Sequence, residues 1–198
     1  MKVILHNISK SFGSLKVLSD FSLVMESGRI YGLMSPSGAG KTTLLRLLMG
    51  LEALDDGSIE KPGHLRISTV FQEDRLCEAF TPVENVRMVT GKSLTEQQVR
   101  SELCRLLPEE SLKRPVATLS GGMKRRTAIC RAMLAPFDLL LMDEPFTGLD
   151  EDTKHTVILY IQEKCAGKIT LLTTHQEQDL TALKAIPVHL PVIDSLKV

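Results

Sequence analysis

A short glycine-rich segment, Ser35 to Thr43, has the residue types and spacing to bind phosphate. It reads SPSGAGKTT, close to the pattern G-x-x-x-x-G-K-[ST]. Gly38 and Gly40 let the backbone approach phosphate oxygens and present N–H donors at the start of a helix. The Lys41 ammonium would reach the β- and γ-phosphates, and the Thr42 hydroxyl would ligate Mg²⁺. The segment therefore predicts a site for a nucleoside triphosphate.

Ser35 stands where this pattern has its first glycine. If the backbone there had to be left-handed, a residue with a side chain would cost about 1–2 kcal/mol. Pro36 follows, however, and the residue before a proline is biased towards extended conformations, which serine adopts easily. We therefore expect an extended Ser35 and little backbone cost. Crowding of the loop by the serine side chain remains an alternative.

Two neighbouring carboxylates, Asp143 and Glu144, supply the second group of chemically capable residues. They follow the apolar run LLLM, which predicts a buried strand. Adjacent strand residues face opposite ways, so the two acids should have different roles. One can hold Mg²⁺, directly or through water, and the other can orient or deprotonate an attacking water.

The elements around the glycine-rich segment are those that a phosphate loop requires. Arg29–Met34 is a compact apolar run and predicts a buried strand that ends at the loop. Helical spacing of leucines follows the loop, at Leu44, Leu47, Leu48 and Leu51. Strand, loop and helix therefore follow one another in the order that presents backbone N–H groups to phosphate.

Further strands and a helical insertion are predicted along the chain. Strands are expected at Lys2–Leu5, Phe21–Met25, Arg66–Phe71, Asp138–Met142 and Ile169–Thr173. Between residues 73 and 118 the composition becomes polar and helix-favouring. Thr95–Leu107 has an apolar side made by Leu94, Val99, Leu103, Leu106 and Leu107. We interpret this region as a helical insertion into an α/β core, and expect another helix from Lys124 to Met133.

Composition excludes several classes of protein. The chain has 198 residues, long enough for one domain with a sizeable core. Its 24 basic residues balance 24 acidic ones, so no basic excess favours nucleic-acid binding. No apolar run approaches the roughly 18 residues of a membrane span, and the amino terminus does not resemble a signal peptide. The four cysteines form no C-x-x-C pair, which argues against a metal site or disulfide framework.

The runs LSGGMKRRTAICRAML and DLLLMDEPFTGLD together resemble the signature and Walker B regions of an ABC-type ATPase. The resemblance covers nearly the whole chain, with the motifs in the family's order. It implies an α/β P-loop NTPase core, a mostly parallel sheet flanked by helices, with an N-terminal antiparallel β subdomain and a helical subdomain. We expect the β subdomain and core in residues 1–72 and 119–198, and the helical subdomain in residues 73–118, all within one ABC ATPase domain.

The resemblance also implies roles for individual residues. LSGGM, with Met123 in place of the common glutamine, resembles the signature, whose serine and glycines contact the γ-phosphate bound to the opposite subunit. Gln72 resembles the glutamine that senses Mg²⁺ and the attacking water. His175 resembles the switch histidine that hydrogen-bonds the γ-phosphate, and Phe12 takes the place of the aromatic that stacks on adenine. The segment TGLD, ending at Asp150, resembles the D-loop, which communicates across the dimer.

On this basis three sets of site residues are predicted. The catalytic set is Lys41, Gln72, Glu144 and His175. The Mg²⁺ set is Thr42, Gln72 and Asp143. The nucleotide-binding set is Phe12, Ser35, Pro36, Ser37, Gly38, Ala39, Gly40, Lys41, Thr42, Thr43, Ser120, Gly121, Gly122 and Asp150. Lys124, Arg125 and Arg126 are interpreted as the solvated face of the signature helix.

The function implied is that of an ATP-binding and ATP-hydrolysing subunit of an ABC transporter, using ATP and Mg²⁺. Two copies would close on ATP, and a separate membrane permease would dock near residues 73–86. The chain would then lie in the cytoplasm at the inner face of the membrane. A solute-binding protein could act through the permease, because LSGGMKRR and DEPFTGLD look like the nitrate, sulfonate and taurine importer group. The alternatives are a non-transport ABC ATPase of DNA repair or translation, and a regulatory nucleotide-binding subunit; no nucleic-acid partner is expected.

Overall fold

Two β-sheets and six α-helices are formed by the described part of the chain. The computed structural model describes residues 1–36, 38–191 and 193. The smaller sheet is antiparallel, with strand order β2-β1-β4. It consists of β1 (Lys2–Phe12), β2 (Leu15–Glu26) and β4 (Asp56–Glu60). A turn at Gly13 joins the first two strands, and its positive φ of 59° is a conformation that glycine adopts without steric cost.

The larger sheet is parallel and has the strand order β5-β6-β7-β3-β8. Its strands are β3 (Arg29–Met34), β5 (Ile67–Val70), β6 (Leu139–Asp143), β7 (Ile169–Thr173) and β8 (Ile186–His189). Every residue of β6 and β7 is buried, as expected for central strands covered on both faces. The carboxyl ends of these strands lie on one edge, where ligands bind in open α/β sheets.

Helices cover the parallel sheet and form a separate group beside it. The helices next to the sheet are α1 (Lys41–Met49), α4 (Gly121–Leu134), α5 (Glu151–Lys164) and α6 (Glu177–Leu183). The second group contains α2 (Pro82–Thr90), α3 (Glu96–Cys104) and two 3₁₀ turns, Glu109–Lys113 and Val116–Thr118. Thr81 and Thr95 begin α2 and α3 with capping boxes, which satisfy backbone N–H groups at the helix starts.

The core lies on both faces of the parallel sheet. Leu140, Met142 and Leu172 pack on one face with the helices around residues 83–161. Leu139, Leu141 and other residues pack on the opposite face with α1 and the antiparallel sheet. Alternation of side chains along β6 therefore joins two hydrophobic clusters through one strand.

The fold class predicted from the sequence is confirmed, whereas several element boundaries differ. Strands Arg29–Met34 and Ile169–Thr173 have the predicted bounds, and β1 and β2 are much longer than predicted. The prediction that Leu51 belongs to the first helix is wrong, because Gly50 ends α1 in the left-handed conformation and leaves Leu51 56% exposed. No helix formed by the described residues is long and apolar enough to cross a membrane.

Candidate functional site

The loop between β3 and α1 has the backbone expected of a phosphate loop. Gly38 and Gly40 have φ angles of +82° and +91°, which a side chain would disfavour. A Cβ atom at Gly40 would also lie 2.8 Å from a methyl carbon of Val17. Ser35, in contrast, is not left-handed, so the backbone cost of replacing glycine there is absent. Of the predicted loop residues, Ser37 lies outside the described part of the chain.

Lys41, the first residue of α1, points its ammonium group back over the loop. Its Nζ donates hydrogen bonds to the carbonyl oxygens of Ser35 at 2.6 Å and Pro36 at 3.1 Å. Lys41 is only 7% exposed. Burial lowers the pKa of its ammonium, and the nearby Glu144 and Asp143 carboxylates partly oppose that shift. A polyanionic ligand at this position would therefore compensate a buried positive charge.

Asp143, at the end of β6, is held by two hydroxyl groups. Thr42 Oγ1 donates to its Oδ2 at 2.8 Å, and Thr173 Oγ1 donates to its Oδ1 at 2.7 Å. A carboxylate oxygen and a hydroxyl in contact are the kind of oxygen donors that Mg²⁺ accepts beside phosphate oxygens. The pair formed by Thr42 and Asp143 therefore fits the predicted Mg²⁺ site.

Glu144 adopts a strained backbone and contacts His175. Its φ of +47° lies in the left-handed region, which is uncommon for a residue with a side chain. Thr173 stabilises this conformation, because the Glu144 backbone N–H donates to Thr173 Oγ1 at 2.9 Å. The carboxylate Oε1 lies 2.8 Å from His175 Nε2. The left-handed Glu144 and its contact with His175 therefore occur together at the carboxyl end of β6.

One cavity of about 310 Å³ brings half of the predicted site residues together. Its lining includes Phe12, Val17, Gly38, Gly40, Lys41, Thr42, Thr43, Gln72, Glu144 and His175. Phe12, at the end of β1, is 47% exposed, and Lys10 Nζ lies 5.3 Å from the centroid of its ring. The cavity is therefore bounded by an aromatic ring, the phosphate loop and the side chains of Gln72, Glu144 and His175.

The signature residues and Asp150 are not among the residues that line this cavity. The Ser120 hydroxyl begins α4 by accepting the Met123 N–H at 3.3 Å, and Asp150 begins α5 by accepting the Thr153 N–H at 2.9 Å. A Cβ atom at Gly122 would lie 3.4 Å from the carbonyl oxygen of Gly148. The signature and the TGLD segment are thus neighbours, and neither lines this cavity.

The interpretation of Arg125 as a solvated residue is wrong. Arg125 is 7% exposed, and its guanidinium donates to the carbonyl oxygens of Phe71, at 2.6 Å, and Gln72. From the same helix, Arg131 donates to the carbonyl oxygens of Asp74 and Arg75, at 3.1 and 2.8 Å. Helix α4 therefore fixes the segment that carries Gln72, because guanidinium groups provide several donors in fixed directions.

Sequence reasoning also missed Thr173, which contacts both acidic residues of the site. Register explains the contact, since Asp143 and Thr173 are paired positions on the parallel strands β6 and β7. A usable signal was present in the run ITLLTTH, where a threonine occurs at the end of an apolar strand, beside the strand that carries Asp143.

Comparison with known proteins assigns this arrangement to a family. The family model described as ABC transporter matches residues 18–147, which include the phosphate loop, the signature and both acids. The chain belongs to the ABC transporter family. Its ATP-binding domain makes it an ABC-type ATPase, as the sequence resemblance predicted.

Curated relatives of this ABC-type ATPase share more than a third of its residues. It is 35% identical to Nod factor export ATP-binding protein I of Cupriavidus metallidurans, over 96% of this chain and 67% of the relative. It is 37% and 38% identical to proteins of the same name from Cupriavidus pinatubonensis and Rhizobium johnstonii. These two matches each cover 86% of this chain, and 58% and 60% of the respective relatives.

Proposed function

We propose that this ABC-type ATPase is the ATP-hydrolysing subunit of a transporter and works as a pair of copies that close on ATP. The observation that carries the proposal is the meeting of Lys41, Thr42, Glu144 and His175 around one cavity, with Asp143 bonded to Thr42. These residue types supply phosphate binding, metal binding and proton acceptance within a single site.

Each side chain at the site has a proposed role. Lys41 donates to two loop carbonyls and keeps a third N–H for the β- and γ-phosphate oxygens of ATP. The Phe12 ring stacks on adenine. Thr42 and Asp143, with Gln72 nearby, would hold Mg²⁺, which neutralises charge on the phosphates. Glu144 accepts the proton of the water that attacks the γ-phosphorus, and ADP leaves.

His175 would support this proton transfer and contact the γ-phosphate. Its Nε2 lies 2.8 Å from the Glu144 carboxylate, so this contact restricts both side chains. A restricted carboxylate keeps its accepting oxygen directed at the attacking water, which lowers the entropic cost of reaching the transition state.

A second copy would supply the signature to each site. Ser120 and Gly121 are exposed at the amino end of α4, where a hydroxyl and helix N–H groups can bind an anion. They do not line the cavity that holds Lys41 in the same chain. In the proposed pair, Ser120, Gly121 and Gly122 of one copy contact the γ-phosphate bound by the other, and Asp150 lies close to the shared boundary.

A membrane permease is the proposed partner, and it would dock beside Gln72. A second cavity, of about 350 Å³, lies between α1 and the segment after β5, and Gln72 and Thr42 are part of its lining. Arg46, Met49, Leu51 and Phe71 line it as well. A permease element bound there would contact the segment around residues 73–86 and sense changes at Gln72.

Two observations bear on the direction of transport, and they disagree. The relatives carry a name that describes export, and they extend well beyond the matched region, since this chain spans 57–67% of the first three. The importer resemblance of the sequence, with its solute-binding protein, stays a prediction. We take export as the first direction to test, using vesicles that contain the permease in either orientation.

The test of the proposed function is the substitution Glu144→Gln. Loss of the proton acceptor should lower ATP turnover by roughly 100-fold or more. The variant should still bind ATP and should accumulate a dimer on size-exclusion chromatography, because bound ATP is no longer consumed. Glu110→Gln, at an exposed position in a 3₁₀ turn, is the control and should behave as the parent chain. Unchanged turnover in Glu144→Gln would refute the assignment of the proton acceptor.

A further inference from the structure

The Ser35 hydroxyl joins the start of the phosphate loop to the end of β8. The backbone N–H of Leu190 donates to Ser35 Oγ at 2.9 Å, across 155 residues of sequence. The same hydroxyl donates its proton to the carbonyl oxygen of Met34. His189 Nδ1 lies 3.2 Å from that carbonyl oxygen. The hydroxyl therefore links the two strand ends by accepting from Leu190, while its own proton is donated within β3 and its extension.

The backbone of Ser35 takes part in the site at the same time. Its carbonyl oxygen accepts the shorter of the two loop hydrogen bonds from Lys41 Nζ, at 2.6 Å. One residue thus contacts Leu190 through its side chain and Lys41 through its main chain. Movement of Ser35 away from Leu190 would also displace the carbonyl that positions the Lys41 ammonium.

Glycine cannot make this link, because it has no side chain. A loop that began with glycine would leave the Leu190 N–H without the Ser35 acceptor and would leave the first loop residue free to reorient. We propose that Ser35 is a positioning residue for ATP binding, whose hydroxyl fixes the start of the phosphate loop to β8 and so holds Lys41 in place. The inference rests on the proposed nucleotide site, and it makes the serine a contributor to affinity.

The expected size of the effect follows from one hydrogen bond. A neutral intramolecular hydrogen bond contributes enough that its loss changes an equilibrium by roughly 3- to 10-fold. Preorganisation acts on binding before chemistry, since the loop must be ordered to receive the phosphates. We therefore expect the KM for ATP to rise by roughly this factor and kcat to change by less than about twofold.

The experiment compares three variants at Ser35 with one matched control. Ser35→Ala and Ser35→Gly remove the acceptor, and Ser35→Thr keeps it. Ser22→Ala is the control, because Ser22 Oγ also accepts a backbone N–H at 2.9 Å, from Asn7 in the antiparallel sheet away from the cavity lining. KM and kcat of ATP hydrolysis are measured for each variant, together with the amide exchange rate of Leu190 by NMR.

The expected result is a higher KM and faster Leu190 exchange in both Ser35→Ala and Ser35→Gly. Ser35→Thr should restore a KM near that of the parent chain, and Ser22→Ala should leave KM and kcat unchanged. A KM in Ser35→Ala and Ser35→Gly equal to that of the parent chain overturns the inference. A lower kcat with unchanged KM overturns it as well. Failure of the parent chain to bind ATP would instead overturn the proposed nucleotide site.

Discussion

Removal of the Thr173 hydroxyl should destabilise the protein and impair hydrolysis at once. Thr173 donates to Asp143 Oδ1 at 2.7 Å and accepts the Glu144 N–H at 2.9 Å. Thr173→Val replaces the hydroxyl by a methyl group of similar size. Because the two side chains are similar in size, no large cavity is created. Because Thr173 is fully buried, water does not replace the lost contacts, and the effect reports the two hydrogen bonds.

The magnitude follows from the groups left without a partner. A hydrogen bond to a charged carboxylate contributes about 1.5–3 kcal/mol, and a buried N–H left unpaired costs about 1–3 kcal/mol. Asp143 keeps its bond from Thr42, so we expect a combined loss of about 3 kcal/mol in the free energy of unfolding. For a chain of this length that loss lowers Tm by roughly 6–12 °C.

The assay is thermal and urea unfolding of Thr173→Val beside Thr170→Val. Thr170 is an equally buried threonine of the same strand, and its hydroxyl has no hydrogen-bond partner among the described residues. Thr170→Val should therefore be neutral or slightly stabilising. ATP turnover should fall in Thr173→Val and not in Thr170→Val. In Thr173→Val the backbone N–H of Glu144 loses the hydroxyl that it contacts, which is its only described side-chain partner.

Equal stability of the two variants would refute this reasoning. In that case the Asp143 and Glu144 positions would be fixed by the strand backbone, with no contribution from the hydroxyl. If Thr173→Val were destabilised but turned over ATP at the parent rate, the stability prediction would hold. The claim that the Thr173 hydroxyl positions Glu144 for hydrolysis would then be refuted.

Two further predictions concern buried polar groups elsewhere. Lys154→Met should lower the free energy of unfolding by about 3–5 kcal/mol, since it leaves the buried Asp179 carboxylate, 3.3 Å from Lys154 Nζ, without its cation. The control Lys113→Met, at an exposed position, should cost almost nothing in the same unfolding assay. Equal costs for the two variants would contradict the reasoning. Cys130 should resist iodoacetamide at pH 9 in the native protein, because burial raises the pKa of its thiol to about 12 and so removes the reactive thiolate. The exposed Cys104 should react under the same conditions, and Cys130 should react after unfolding. Labelling is detected by mass spectrometry, and labelling of Cys130 in the native protein would contradict the prediction.

Strands buried on both faces were predictable from the sequence, whereas two of the edge strands, β4 and β8, were not. β3 and β7 have the predicted bounds because central parallel strands are continuous apolar runs. β4 reads DGSIE, is mostly exposed, and forms only by pairing with β1, so no local pattern indicates it. Helix α5 was also missed, since its buried residues include Lys154 and do not form a simple apolar stripe.

The meeting of the motif residues around one cavity was predictable, and contacts between distant segments were not. Lys41, Thr42, Glu144 and His175 lie around the cavity as motif spacing suggested. Arg125 was misinterpreted because the sequence of a helix does not show which segment packs on it. The role of its guanidinium depends on carbonyl groups 53 and 54 residues away, which only the folded chain brings together.

The hydrogen bonds from α4 to the segment after β5 have a mechanical consequence. Arg125 and Arg131 hold the main-chain carbonyls of residues 71, 72, 74 and 75, so the segment and the helix have few independent degrees of freedom. We therefore expect a displacement at Ser120, where α4 begins, to move Gln72 as well. In the proposed pair, the occupancy of one nucleotide site would thus set the position of a glutamine at the other.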